Sequence, residues 1–292
     1  MVTISGPSIM EVQMSTTMPV IGSFLIALGL AACSSRDADH GGATAAAPHE
    51  MTVVAKDFTF DAPAQAPAGL TTIHLVNQGH ELHHLQLVRL TDGKTAADLA
   101  AAMKQPGPPP PWMVSAGGPN APVPGGSSQA TVMLEPGNYV LLCVIPGADQ
   151  VPHAAKGMVS PLTVTADSTS HAEPQSDVTV ALTDYAFALS TPITTGAHTM
   201  RVENHGAQDH EAFLIRLAPG KTGADVAAWV DKQVGPPPGQ PLGGITAVPA
   251  GAHAFFTSDF TPGHYAFMCF IPDSKDGKPH VAHGMVKDIT VT

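Results

Sequence analysis

The strongest constraint on the fold is an internal repetition, because most of the chain is present twice with an offset of about 127 residues. Matching segments follow in the same order in both halves: 51–63 with 178–192, 76–90 with 203–217, 93–105 with 220–233, and 136–146 with 262–272. Each copy is much longer than the units of solenoid proteins, which take about 20–50 residues. The sequence therefore predicts two tandem domains of one fold, over 51–165 and 177–292.

Within each copy, the pattern favours β-structure. Short segments of alternating apolar residues, bounded by Pro, Gly and Asn, are typical of strands. In the first copy they lie at 52–55, 71–76, 84–90, 129–134, 138–144 and 160–165. One helix per copy is predicted, at 95–105 and 223–233, because apolar side chains recur there at helical spacing before a Pro-rich run. We predict an all-β fold of two β-sandwiches, each with one inserted helix.

The N-terminus has the features of an export signal. An apolar run at 19–32 precedes Cys33 and is too short for a comfortable membrane-spanning helix. The Leu-Ala-Ala-Cys sequence ending at Cys33 resembles the lipobox of bacterial lipoproteins. That resemblance implies a signal peptide at 1–32, a lipid on the Cys33 thiol, and attachment to the cell envelope, facing the periplasm or the outside. No Lys or Arg precedes the apolar run, so an ordinary secretory signal cut near Ala32, or a short anchor, stays open.

Composition limits the partners and the linkers. Charged residues make up 13% of the chain and the formal net charge is -11, so the basic face of a nucleic-acid-binding protein is missing. The small polar residues of 33–50 predict a flexible tether, and those of 166–176 predict an interdomain linker. The partners that we expect are a membrane, reached through the lipid, and another protein.

Two segments place a thiol, an imidazole and a thioether in the same order. They carry Cys143, His153 and Met158 in the first copy, and Cys269, His280 and Met285 in the second. If Cys33 carries a lipid, Cys143 and Cys269 are unpaired thiols at matching positions of two domains, which calls for an explanation in an exported protein. Soft sulfur donors beside imidazole suit a transition metal. Burial of each Cys and Met in an apolar core is the alternative.

A second imidazole is found by comparing the two halves. The pattern Asn-x-Gly-x-x-x-His ends at His83 in the first copy and at His210 in the second. His80, His84 and His283 have no His at the matching position of the other copy. We expect His80 and His84 to support the ligands from behind, to lie exposed at the rim of the site, or to form a weak extra metal site, and His283 to face solvent.

These residues resemble those of the cupredoxins, the blue copper proteins. The Pro-Gly-x-Tyr-x-x-x-Cys segment before the loop, the His-x4-Met spacing and the Asn-x-Gly…His segment carry the resemblance, which covers both repeats. It implies two cupredoxin-like Greek-key sandwiches with one type 1 copper each, two per chain, held by two His, one Cys and a long axial Met. The implied ligands are His83, Cys143, His153 and Met158 in the first domain, and His210, Cys269, His280 and Met285 in the second. The long loop between Cys and His is more similar to that of copper nitrite reductases than to that of small plastocyanins.

The resemblance implies one-electron transfer at the cell envelope to or from an unidentified redox partner. We expect no enzymatic activity, because copper enzymes of this fold place a His beside the copper-binding Cys, whereas both Cys residues here have apolar neighbours on each side. Two alternatives stay open. One is a periplasmic copper-binding or copper-delivery lipoprotein without a redox role, and the other is a metal-free β-sandwich with a structural or interaction role.

Overall fold

A computed structural model describes residues 45–103, 109–230, 232 and 234–292. The predicted signal peptide (1–32), the lipid-bearing Cys33 and the first part of the tether lie outside the described residues, and so do positions 104, 105, 231 and 233 at the ends of the predicted helices. In the part of the chain that is described, no helix has the length and apolar character needed to span a bilayer.

The first repeat is built mainly from short strands separated by turns. Its strands are β1 (His49–Lys56), β2 (Thr59–Asp61), β3 (Gln65–Pro67), β4 (Gly69–Asn77), β5 (Gln86–Leu90), β6 (Met113–Ser115), β7 (Ser127–Leu134), β8 (Gly137–Leu142) and β9 (Val159–Thr165), with helix α1 (Ala96–Ala102) after β5. The six predicted strands of this copy correspond to β1, β4, β5, β7, β8 and β9. Alternation did not reveal β2, β3 and β6, which have only three residues each.

The second repeat follows the same order. Its strands are β10 (Val178–Thr183), β11 (Ala186–Leu189), β12 (Gly196–Asn204), β13 (His210–Leu217), β14 (Gly239–Val248), β15 (His253–Phe260), β16 (Gly263–Met268) and β17 (Val286–Val291), with helix α2 (Gly223–Val230) after β13. A single turn of 3-10 helix precedes the last strand of each repeat, at His153–Lys156 and His280–His283.

Strand pairing gives each repeat two facing sheets. The first repeat has the strand orders β2-β1-β4-β7 and β3-β9-β8-β5-β6, and the second has β11-β10-β12-β15 and β14-β13-β16-β17. Apolar side chains from both sheets of each repeat enclose the buried core. The predicted all-β sandwich fold with one helix per repeat is thus confirmed for the described residues.

Helix α1 begins one residue later than predicted and α2 begins at Gly223 as predicted, and the Thr before each helix caps it. The Oγ1 of Thr95 accepts the N–H of Asp98, and the Asp98 carboxylate accepts the N–H of Thr95 in return. Thr222 and Asp225 make the same pair of hydrogen bonds before α2. Such capping boxes satisfy N–H groups that have no partner within the helix. The Gly-Lys-Thr sequence found in both copies is therefore a signal for the start of a helix.

The two repeats are joined through a common sheet. Strands β7 and β15 pair antiparallel, with Thr131 opposite Phe255, so that eight strands form one continuous sheet. Residues 117–122 of the first repeat also run antiparallel to β14, with Pro119 opposite Ile245. One hydrophobic core contains residues of both repeats. The predicted boundaries of the two domains stay a prediction, since this core is shared across them.

A buried tyrosine fixes the tight turn that leads to each Cys. The hydroxyl of Tyr139 donates to the carbonyl oxygen of Glu135 and accepts the N–H of the same residue, both at 3.0 Å. Tyr265 makes the same two contacts with Thr261, at 2.8 and 3.1 Å. This explains why the Pro-Gly-x-Tyr segment is present in both copies.

We expect Tyr139→Phe to lower the free energy of unfolding by about 1–2 kcal/mol, because it removes one partner of two hydrogen bonds at a part-buried turn. Urea unfolding measures the change. Tyr265→Phe is the matched variant in the second repeat and should cost a similar amount. Unchanged stability in both variants would show that the turn does not depend on the hydroxyl.

Candidate metal centres

Among the described residues, each repeat contains one fully buried group of His and Cys side chains that can hold a metal ion. The groups are His83, Cys143 and His153 in the first repeat, and His210, Cys269 and His280 in the second. Within each group the nitrogen and sulfur atoms all lie within 4.8 Å of one another. All six residues are fully buried. The structure therefore brings together the predicted Cys and both predicted His of each repeat.

Neighbouring strands bring these side chains to one end of the sheet. In the first repeat, β5 pairs with β8. His83 lies shortly before β5, and Cys143 directly follows β8. In the second repeat, His210 is the first residue of β13, and Cys269 directly follows the paired strand β16.

Main-chain hydrogen bonds close the loop between Cys and the second His. In the first repeat, the N–H of His153 donates to the carbonyl oxygen of Ile145 (3.0 Å), and the N–H of Ala154 donates to that of Cys143 (2.7 Å). The two prolines of the loop form an isolated bridge, and the second repeat has equivalent hydrogen bonds and an equivalent bridge. The helical turn that begins at His153 ends at Gly157, whose φ is 107°. The protein's own contacts thus set the spacing between the Cys and His side chains.

The Asn-x-Gly pattern serves the first His. Asn77 accepts the N–H of Gly79 (3.0 Å) and donates to a carbonyl oxygen two residues before His83 (2.9 Å). A Cβ atom at Gly79 would lie 2.5 Å from both His83 Nε2 and Asp57 Oδ1. Only glycine leaves room for this His–Asp pair, and the second repeat has the same contacts.

Two carboxylates belong to these centres and were missed by the sequence analysis. Asp57 Oδ1 lies 3.0 Å from His83 Nε2, and Asp184 Oδ1 lies 3.0 Å from His210 Nε2. Hydrogen bonds from His80 and His83 hold the pKa of Asp57 well below its usual range. A metal-binding His usually donates its second N–H to such a group, which fixes the tautomer of the ring. The sequence did contain a signal for these carboxylates. In the first pair of matching segments, both copies have an Asp followed by an aromatic residue.

Electron-pair donors converge in the first centre. His83 Nδ1 lies 3.0 Å from His153 Nδ1, which lies 3.6 Å from Cys143 Sγ. The Nε2 atoms of the two rings face Asp57 and Glu81, each at 3.0 Å. Neutral rings in this arrangement carry their N–H on Nε2 and a lone pair on Nδ1. Two lone pairs and a sulfur atom directed at one point form a set of donors that suits a transition-metal ion.

The second centre has the same convergence. His210 Nδ1 lies 3.0 Å from His280 Nδ1, which lies 3.3 Å from Cys269 Sγ. Burial lowers the pKa of His280 to about 4, and burial lowers the pKa of His153 as well. Protonation of these rings is therefore unfavourable at neutral pH, which leaves their nitrogen lone pairs available to a metal ion. Two nitrogen donors and one sulfur donor suit copper or zinc.

The thiols respond to burial in the opposite sense. Burial raises the pKa of Cys143 to about 11 and holds that of Cys269 well above its usual range. Without a metal, both groups stay protonated at neutral pH. A metal ion that binds the thiolate must therefore displace a proton from each Cys.

The predicted axial residues lie next to the Cys in both repeats. The carbonyl oxygen of Met158 accepts the N–H of Cys143, and that of Met285 accepts the N–H of Cys269, both at 3.3 Å. Both Met side chains are fully buried. Their role as fourth ligands stays a prediction.

The surroundings of the two centres differ. The N–H of Val144 donates to His84 Nε2 (3.0 Å), whereas the matching N–H of Phe270 donates to Glu211 Oε1 (2.6 Å). Burial lowers the pKa of His84 to about 3 and raises that of Glu211 to about 7. His84 is therefore a neutral acceptor beside the centre, not an exposed group at its rim.

The partner of the second His also changes between the repeats. His153 Nε2 faces Glu81, whereas His280 Nε2 lies 3.8 Å from Asp273 Oδ2 and has no hydrogen-bond partner among the described residues. Asp273 accepts hydrogen bonds from Gln208 (2.7 Å) and from the Tyr185 hydroxyl. The loop of the second repeat supplies this carboxylate in place of the residue that matches Glu81.

The remaining candidate histidines are not among the converging donors. His80 is exposed and lies 2.7 Å from Asp57, so it supports the carboxylate from outside. His283 is on the surface, as predicted, and its Nε2 lies 3.2 Å from Asp276 Oδ1. With Asp273 these two residues form a third group of potential ligands.

Solved structures that resemble this chain include copper proteins, whereas no family model and no curated protein matches it. Auracyanin A, a "blue" copper protein from the green thermophilic photosynthetic bacterium Chloroflexus aurantiacus, is 19% identical, with 40% of this chain and 99% of that chain covered and a TM-score of 0.30. The blue copper oxidase from Nitrosomonas europaea is 14% identical, with 84% and 86% covered and a TM-score of 0.27. The copper-containing nitrite reductase from Thermus scotoductus is 10% identical, with 85% and 62% covered and a TM-score of 0.24.

The predicted resemblance to blue copper proteins is confirmed by these neighbours. Two of the three are named as enzymes, and the expectation of no enzymatic activity stays a prediction. The functional conclusion below rests on the side chains of the two centres.

We expect Asp57→Asn to weaken copper binding at the first centre by about 10–100-fold, because the carboxylate no longer holds the His83 ring with its lone pair directed at the metal. The measurement is a competition titration with a chromophoric chelator in a Cys269→Ser background, which leaves only the first centre intact. Asp61→Asn is the control, because Asp61 is exposed and its carboxylate forms an ion pair with Lys56 at 3.9 Å. An equal effect of both substitutions would contradict a role of Asp57 in orienting His83.

Proposed function

We propose that this chain is a two-centre blue copper protein that carries single electrons at the cell envelope. The observation that carries the proposal is the convergence of two imidazole Nδ1 atoms and one Cys Sγ atom in a fully buried position of each repeat. In both repeats, a carboxylate holds the Nε2 atom of the first His. The proposed ligands are the eight residues predicted from the sequence, including Met158 and Met285.

The residues around each centre suit electron transfer. Bound copper would supply a group that alternates between Cu(I) and Cu(II). The Asp fixes one imidazole, the closed loop fixes the other, and the strand end fixes the thiol. Little rearrangement is then needed between the two oxidation states. Burial keeps water from the ligand atoms, and hydrogen bonds such as that from the Glu211 N–H to Cys269 Sγ (3.4 Å) adjust the reduction potential.

Copper is favoured over zinc by the thioether. Structural zinc sites take four N, S or O donors from Cys, His, Asp or Glu. Two His, one Cys and a weak axial Met form the ligand set of blue copper electron-transfer sites. A fully buried Met is available beside the Cys in each repeat.

We propose an electron carrier in preference to a copper enzyme because of the residues that flank each Cys. An enzyme of this kind must pass electrons from its blue copper to a second copper centre, and a His beside the Cys supplies that path in the enzymes that the sequence resembles. Here both Cys residues have apolar neighbours. Assays of the copper-loaded protein for oxidase and nitrite reductase activity test this choice, and turnover in either would replace the carrier by an enzyme.

The cellular setting is part of the same proposal. A lipid on Cys33 would hold the protein at the envelope, with 34–50 as tether, and a redox protein would be the partner. Metabolic labelling with a fatty acid, compared between the full chain and Cys33→Ala, tests the anchor. Label that persists in Cys33→Ala would show that Cys33 does not carry the lipid.

We expect titration of residues 34–292 with Cu(II) to give an intense blue thiolate-to-copper absorption that saturates at two equivalents. Cys143→Ser and Cys269→Ser should each retain one equivalent, and the double variant should lose the band. Tight binding without the blue band would favour the delivery role instead. Absence of binding would return the two Cys residues to the status of core residues.

We also expect copper binding to release protons and to strengthen as pH rises. The raised thiol pKa of about 11 at Cys143 keeps the free thiol protonated, so each centre loses about one proton on binding. Calorimetry in buffers of different ionisation enthalpy counts these protons. Below that pKa, affinity should rise about tenfold per pH unit at each centre. The same count in the double Cys→Ser variant would rule out the thiols as the source.

A further inference from the structure

The two centres differ in whether all of their supporting side chains come from their own repeat. In each, the side chain after the first His accepts the N–H of the residue after the Cys: His84 accepts from Val144, and Glu211 accepts from Phe270. This contact fixes the main chain on the far side of the Cys. Glu211 also donates its own N–H to Cys269 Sγ. Any displacement of Glu211 therefore moves two groups that surround the sulfur.

The Glu211 carboxylate has a second oxygen, and the first repeat supplies its partner. Asn120 Nδ2 donates to Glu211 Oε2 at 2.9 Å, and both residues are buried. Asn120 is itself held firmly. Its Oδ1 accepts the N–H of Ala121 (2.8 Å), and its main-chain N–H donates to Gly244 (3.0 Å) in the second repeat.

In the part of the chain that the structure describes, no equivalent contact reaches the first centre from the other repeat. The Gly-Gly pairs at 117–118 and 243–244 align, which places Thr246 at the position matching Asn120. The Thr246 hydroxyl donates to the carbonyl oxygen of Gly118 (3.1 Å) and its N–H donates to the same atom (2.8 Å). Thr246 thus lies in the same seam between the repeats, but its side chain is bonded to main chain and not to a residue of the metal centre.

We propose that Asn120 of the first repeat is a positioning residue of the second metal centre, which acts by orienting the Glu211 carboxylate against the Phe270 N–H beside Cys269. The inference rests on the proposed copper function of that centre. It makes the second centre dependent on the first repeat, whereas the partners found for the first centre lie within its own repeat.

The test uses the full mature chain with Cys143→Ser, so that only the second centre binds copper. Asn120→Ala should weaken copper binding by about tenfold and shift the blue absorption, because loss of such a supporting contact typically has this effect. Thr246→Ala is the matched control in the same seam and should change affinity less than twofold. Equal effects of the two substitutions would overturn the proposal in favour of a general loss of packing.

A double-mutant cycle shows whether Asn120 acts through Glu211. Glu211→His installs the residue found in the first centre. In that background Asn120→Ala should cause no further change in affinity or absorption. A further tenfold loss there would show that Asn120 acts by another route and would overturn the proposal.

A metal-free measurement separates this inference from the copper function. The Phe270 amide proton, in a short hydrogen bond to Glu211, should move upfield in the NMR spectrum of metal-free Asn120→Ala and stay in place in Thr246→Ala. If the Cys143→Ser parent binds no copper but this shift occurs, the proposed function fails and the contact stands. If the parent binds copper but neither the shift nor the affinity change occurs, the positioning role alone fails.

Discussion

Two imidazole nitrogens and a sulfur atom meet in the interior of each repeat, and this convergence is the constraint on which the local structure depends. Donor groups without a partner are costly to bury, and lone pairs that face one another are costlier still. The fold meets this cost with fixed supports. An Asn side chain holds the loop before the first His through hydrogen bonds, and a Gly leaves room for the Asp that contacts this His. Main-chain hydrogen bonds close the loop that carries the second His.

Because of the shared sheet, the two repeats of this chain are not independent of each other. Because β7 pairs with β15 and residues 117–122 lie along β14, the seam between the repeats is part of one core. A residue of one repeat can then lie beside the metal centre of the other, as Asn120 does at Glu211. Separate domains on a flexible linker would offer no such fixed contact.

Repetition within the chain made much of this predictable. The main strands followed from alternation, since one face of each is buried, and the His, Cys and Met positions followed from their presence in both halves. The carboxylate Asp57 escaped because it lies far from His83 in sequence and single Asp residues are common on surfaces. The short strands β2, β3 and β6 escaped because three residues carry too little periodicity. The Asn120–Glu211 contact spans 91 positions and has no counterpart, so comparison of the halves could not find it.

The two centres share their candidate ligands but differ in the residues around them. The three converging donors and the Asp behind the first His are the same in both repeats, as the proposed metal and the orientation of its ligands would require. The groups one contact further out are free to differ, and they do. His84 is replaced by Glu211, and the carboxylate opposite the second His comes from Glu81 in one repeat and from Asp273 in the other. A neutral imidazole and a buried carboxyl group beside the Cys act differently on a positive metal ion. Two centres with one ligand set in such different surroundings are therefore expected to have different reduction potentials, which would give electron flow between them a preferred direction.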